Sequence, residues 1–205
     1  MLKPNKHMIF TIILFLLIVL ACAVVSLWLT DARARLWTSY VIGFVFSTIV
    51  GGKLIQPLSQ NMHERVKGYI RAEYPQISFR RIRPLDWFPA VFGYIERPMY
   101  TASVLFGKPE FIAVWLGVKM LARWSLPRTE EDKITDSRHR YYPVLVGNLL
   151  GVAYGVAGAL VIKWLKYPCR FWFALATMAI LVLGTLSLTL YESYKYKNWL
   201  QNKEI

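Results

Sequence analysis

Long apolar runs separated by short polar stretches dominate the chain from residue 8 onward. A helix needs about 20 mostly apolar residues to cross the hydrocarbon core of a bilayer. The pattern therefore predicts an all-α integral membrane protein, with about six membrane helices in a single polytopic domain. The predicted membrane helices are residues 8–29, 37–55, 87–106, 110–124, 142–162 and 171–190.

The two stretches 87–106 and 110–124 are predicted to form a helical hairpin. Gly107 and Lys108 have turn chemistry, and Pro109 suits the first position of the helix that follows. At 1.5 Å per residue, the second arm reaches only roughly 22 Å, against a hydrocarbon core of roughly 30 Å. We therefore expect four full spans plus one hairpin, whose second arm either crosses the bilayer or is re-entrant.

Residues 56–86 form the first long polar segment. Leu58, Met62 and Val66 recur at helical spacing among basic side chains, and Pro75 follows them as a stop signal. This pattern predicts a short amphipathic helix that is separate from the preceding span. We expect it to lie in the cytoplasmic interface of the membrane.

The charge balance indicates both a partner and an orientation. The chain has 25 Lys and Arg against 12 Asp and Glu, a net charge of +13. Next to apolar spans, such an excess favours anionic lipid head groups on the cytoplasmic side over nucleic acid. With both termini in the cytoplasm, 15 Lys and Arg lie inside and six outside. This distribution obeys the positive-inside rule and predicts a multi-pass protein of the cell (inner or plasma) membrane.

Three arginines, Arg80, Arg81 and Arg83, cluster directly before the predicted hairpin. Guanidinium groups match phosphate oxygens in a bidentate geometry, so the cluster is a candidate site for anionic head groups. A simpler interpretation is that these charges only set the topology and contact lipid loosely.

Glu96 and Arg97 lie in the middle of the first hairpin helix and form a candidate buried-charge site. Intramembrane charges are costly and usually face protein or a water-filled cavity. Adjacent helical positions point about 100° apart, so Glu96 needs a partner other than Arg97. Lys119 and Asn148 are the candidates, although Lys119 could instead extend to the inner interface. Pro98 adds a kink by removing a backbone donor.

These charges have two interpretations. They either tie helices together or form a working site for a substrate, an ion or a proton. A second candidate feature is the face formed by Gly147, Gly151 and Gly155, which are spaced four apart in one span. Such a face favours close packing, either within the chain or against another subunit of the same or a different membrane protein.

The sequence has no nucleotide-binding, metalloprotease, nucleophile-elbow or paired-cysteine motif. We therefore assign no catalytic residue, metal or cofactor. The function favoured by the sequence is a small transporter-type or accessory membrane subunit with its site around Glu96. The alternatives are a structural or assembly subunit of a membrane complex, and a membrane enzyme acting on an anionic lipid-linked substrate.

Overall fold

The structure, a computed structural model, describes residues 6–28, 31–73, 88–124 and 137–201. These ranges are almost entirely helical and contain no strand. The α-helices are α1 (Lys6–Trp28), α2 (Ala32–Val45), α3 (Gly51–Glu73), α4 (Phe88–Leu105), α5 (Glu110–Trp124), α6 (Ser137–Leu165) and α7 (Phe171–Gln201).

Three helical stretches in the described ranges are long and apolar enough to cross a membrane. They are Ala32–Val66, Tyr142–Leu165 and Phe171–Lys195. The apolar part of α1, Ile12–Val24, is shorter, and α5 has only 15 residues. The all-helical class is thus confirmed for the described ranges, and the three long apolar helices support a membrane protein. Length and apolarity do not by themselves support all six predicted spans.

The boundary predicted after residue 55 is absent. A π-helical turn, Phe46–Val50, joins α2 directly to α3, and the helix continues through Pro57 to Glu73. Residues 56–73 therefore extend the preceding span rather than forming a separate interfacial helix. The physical reason is that Leu58 and Met62 are buried against the bundle, so this face of α3 packs on protein.

Helix α6 lies at the centre of the bundle, where it packs against α2, α3, α4 and α7. Tyr154 of α6 is fully buried, and its ring lies 5.6 Å from that of Phe46. Met178 of α7 and Cys22 of α1 belong to the same apolar core. The buried side chains of these helices thus form one apolar core around α6.

Glycines allow α2 and α6 to approach closely. A Cβ atom on Gly158 would lie 2.8 Å from the carbonyl oxygen of Gly43, and one on Gly43 would lie 2.7 Å from that of Gly158. Side chains cannot fit between two backbones at this distance, so only glycine serves here. The crossing holds α2 and the π turn against the middle of α6, next to α4.

The outer surface of α7 is apolar and exposed. Trp172, Ile180 and Leu183 are 73%, 70% and 63% exposed. A contiguous exposed apolar face of this kind is costly in water and favourable in lipid. It is the surface expected of a membrane helix.

Candidate functional site

Glu96 lies in the middle of α4 and is buried, with 5% of its surface exposed. Lys119 Nζ from α5 lies 2.7 Å from each of the two carboxylate oxygens. Trp115, one turn earlier on α5, donates its indole N–H to Glu96 Oε1 at 3.1 Å. The carboxylate therefore receives one charged and one neutral donor from the same face of α5.

Asn148 extends the site to a third helix. Lys119 Nζ donates to Asn148 Oδ1 of α6 at 3.0 Å. The ammonium group thus bridges α4 and α6, and the polar site links three helices through one nitrogen atom. Of the two partners expected for Glu96 from the sequence, Lys119 contacts the carboxylate directly, whereas Asn148 is joined to it only through Lys119. The alternative in which Lys119 extends away to the interface is wrong, because its charge is neutralised within the protein.

Hairpin geometry explains this pairing. α4 and α5 are joined by a turn in which Gly107 adopts a positive φ of 68°, a conformation readily available to glycine. In two antiparallel helices of equal rise, residues equally distant from the turn lie at the same level. Glu96 and Lys119 lie equally far on either side of the Gly107–Lys108 turn. Trp115 follows because it precedes Lys119 by four residues on the same helical face.

The two halves of the ion pair differ in their exposure. The Glu96 side chain is 7% exposed and that of Lys119 is 31% exposed. The carboxylate is therefore enclosed, whereas the cation that neutralises it is reachable from outside the bundle.

Arg97 points to a different part of the structure, as the helical geometry predicts. It is 5% exposed, and its Cζ lies 5.1 Å from the centre of the Tyr94 ring. A Cβ on Gly52 of α3 would lie 2.7 Å from Arg97 Nη2. The guanidinium therefore occupies a gap between α3 and α4, away from the contacts of Glu96 with α5 and α6.

Thr101 joins the site to the π turn. Its hydroxyl oxygen lies 2.9 Å from the carbonyl oxygen of Gly155 and 3.1 Å from Ser47 Oγ. It also lies 3.0 Å from the carbonyl oxygen of Arg97, one turn back on α4. Thr101 is completely buried. The segment after Pro98 is thus held to both the π turn and α6, next to Glu96 and Arg97.

The predicted glycine face divides into two parts. A Cβ on Gly155 would lie 2.5 Å from Tyr100 Cβ, so Gly155 packs closely against α4. At Gly147 and Gly151, the same added atom would meet nothing within 4 Å. Close packing within the chain is therefore limited to Gly155 and, one turn on, Gly158.

A second buried ion pair escaped the sequence reasoning. Arg65 Nη1 of α3 lies 2.5 Å from Glu192 Oε2 of α7, and Asn61 donates to Ser193 Oγ at 2.9 Å. Glu192 is 5% exposed. The available signal was the helical spacing of Asn61 and Arg65, together with an acid in the polar end of the last span. This pair fixes the extended part of α3 to α7.

The predicted arginine cluster has no counterpart among the described residues. Arg80, Arg81 and Arg83 lie outside the described residues, as does the whole of the basic segment 74–86. Within the described ranges, no three His, Cys, Asp or Glu side chains come together as a metal site.

Comparisons with models of protein families, with curated proteins and with solved structures found no match.

Proposed function

We propose that the protein is a multi-pass subunit of the cell membrane, either of transporter type or accessory. We propose further that the Glu96 carboxylate is the functional group, which takes up a proton or a cation. The observation in support is the three-helix site in which Lys119 neutralises an enclosed carboxylate from a more exposed position. In this proposal α4 and α5 form a membrane hairpin in a six-helix bundle, and both termini lie in the cytoplasm.

The chemistry follows from competition for one carboxylate. An intramembrane acid is stable only when it is paired, protonated or bound to a cation. When a proton or a cation from outside takes the carboxylate, the Lys119 ammonium keeps Asn148 as its acceptor. Because α5 packs chiefly against α4, loss of the ion pair also loosens α5. Uptake at Glu96 and movement of α5 are therefore coupled.

The test compares Glu96→Gln, Lys119→Met and the double variant Glu96→Gln/Lys119→Met. Removing one partner of a buried ion pair leaves an uncompensated charge, whereas replacing both is often close to neutral for stability. The double variant should therefore be about as stable as the wild type in detergent. If Glu96 is a working group, the double variant folds and inserts but does not restore growth in a strain that lacks the protein.

The opposite outcome identifies the second candidate function. A double variant that restores both stability and growth means that the ion pair only ties helices together. The protein is then a structural or assembly subunit, a role favoured by the unoccupied space at Gly147 and Gly151. The membrane enzyme with a lipid-linked substrate depends on Arg80, Arg81 and Arg83, and no described contact supports it.

A further inference from the structure

Arg97 is a buried cation that the Glu96 site does not use. The buried carboxylates of the described residues are Glu96 and Glu192, and they pair with Lys119 and Arg65. Arg97 is instead stacked over Tyr94. Its Nε atom is buried and has no hydrogen-bond acceptor among the described residues. Buried charges in proteins are normally paired or bind a ligand, because an isolated charge is costly to desolvate.

Close packing against two glycines fixes the position of the Arg97 guanidinium group. Nη2 would lie 2.7 Å from a Cβ on Gly52, and Nη1 would lie 3.1 Å from a Cβ on Gly93. The two glycines thus leave room for the planar fork between α3 and α4, where any other residue would crowd it. A buried cationic donor without an acceptor is what an anion site contains before its ligand binds.

We infer that the Arg97 niche between α3 and α4 binds a small oxyanion, a phosphate or a carboxylate group. The planar guanidinium fork would hold two oxygens side by side, the geometry in which arginine binds these groups. The π turn lies immediately before Gly51 in the chain, and Pro98 directly follows Arg97. Single π turns inside α-helices are frequent at functional sites.

Anion binding at Arg97 does not depend on the proposed role of Glu96, because the two side chains lie on different faces of α4. The oxyanion has two sources, a soluble anion or the head group of a phospholipid. Arg97 lies eight residues or more from either end of α4, which corresponds to about 12 Å along the helix.

The test measures the thermal unfolding of the purified full-length protein in detergent, monitored by tryptophan fluorescence. Sodium phosphate, sodium acetate and dihexanoyl phosphatidylglycerol are titrated separately, with sodium chloride keeping the ionic strength constant. A ligand that binds only the folded state raises Tm in a saturable manner. A rise with phosphate or acetate identifies a soluble anion, and a rise with the short-chain lipid alone identifies a head group.

Variants locate the binding. Arg97→Gln should weaken binding about tenfold or more, because it removes the charged donors. Arg97→Lys keeps the charge without the fork and should lose part of the affinity. Arg33→Gln is the matched control, because it removes one arginine charge at an exposed position of α2. Its affinity should equal that of the wild type.

Gly93→Ala provides a measurement that does not remove a buried charge. Alanine favours a helix over glycine, so the unliganded protein should be as stable as the wild type or more stable. The new Cβ crowds Nη1 and should weaken binding several-fold. Two results overturn the inference: no saturable rise in Tm for the wild type with any of the three probes, or equal affinity in Arg97→Gln. If Arg97→Gln does not fold, equal affinity in both Arg97→Lys and Gly93→Ala overturns it.

Discussion

At the scale of the residue, a single hydroxyl group joins three segments of the bundle. Thr101 lies within hydrogen-bond distance of the π turn through Ser47, and of α6 through the Gly155 carbonyl. A hydroxyl has one hydrogen to donate and can accept from a neighbour, so these contacts share one group. In a membrane protein such contacts contribute modestly, because the unfolded chain also finds partners.

We expect Thr101→Val to lower the free energy of unfolding by about 0.5–1.5 kcal/mol, because valine keeps the volume but removes the hydroxyl. Thr101→Ser keeps the hydroxyl and is the control, with loss of a methyl group as its only cost. Denaturant unfolding of the purified proteins measures the difference. If the valine variant is as stable as the wild type or more so, the hydroxyl does not hold the junction.

Individual contacts were partly predictable from the sequence. Glu96 required a partner because a lone intramembrane charge is unstable, and the hairpin turn placed Lys119 at its level. Trp115 was not predicted, although it lies four residues before Lys119 on the same face of α5, because spacing alone does not show where an indole N–H finds its acceptor. The Arg65–Glu192 pair was not predicted either, because its two members are far apart in the chain and meet only through the packing of α3 on α7.

At the scale of the element, the structure distinguishes glycines that are needed from those that are not. Gly158 faces backbone, since its added Cβ would lie 2.8 Å from both the Gly43 carbonyl oxygen and Ser47 Cβ. Neither the carbonyl nor the Cβ is the end of a flexible side chain, so α2 and α6 would have to separate. Gly147, on the same helix, has open space around it.

Gly158→Ala should therefore destabilise the protein by about 1–3 kcal/mol, the usual cost of overpacking. Gly147→Ala, the matched control, should be neutral or stabilising by up to about 1 kcal/mol, because alanine is the better helix former. Thermal or denaturant unfolding of both variants gives the comparison. Equal stabilities would mean that α2 and α6 do not cross at Gly43 and Gly158.

Helix bounds followed from the sequence where apolarity alone decided them. The predicted 110–124 matches α5, and 87–106 differs from α4 by one residue at each end. The break predicted after residue 55 was wrong because periodicity shows that a helix has a polar face but not what lies against its apolar face. The last span likewise extends beyond residue 190, since Glu192 and Ser193 have partners on α3.

At the scale of the whole molecule, a native cysteine reports the orientation. Cys169 is exposed in the link between α6 and α7, whereas Cys22 is completely buried. The charge distribution predicts that this link lies on the outer side. A membrane-impermeant maleimide should therefore label the wild type in right-side-out vesicles and should not label Cys169→Ser. Labelling that requires permeabilised vesicles would place the link in the cytoplasm and reverse the predicted orientation.

The contact between Glu96 and Lys119 also has a consequence for how the chain is made. Lys119 is synthesised 23 residues after Glu96, which at about 5–20 residues per second is a delay of about one to five seconds. During that interval α4 emerges with a carboxylate that has no counter-ion from α5. We expect α4 to remain beside the insertion machinery until α5 has been synthesised, so that the two helices enter the bilayer together.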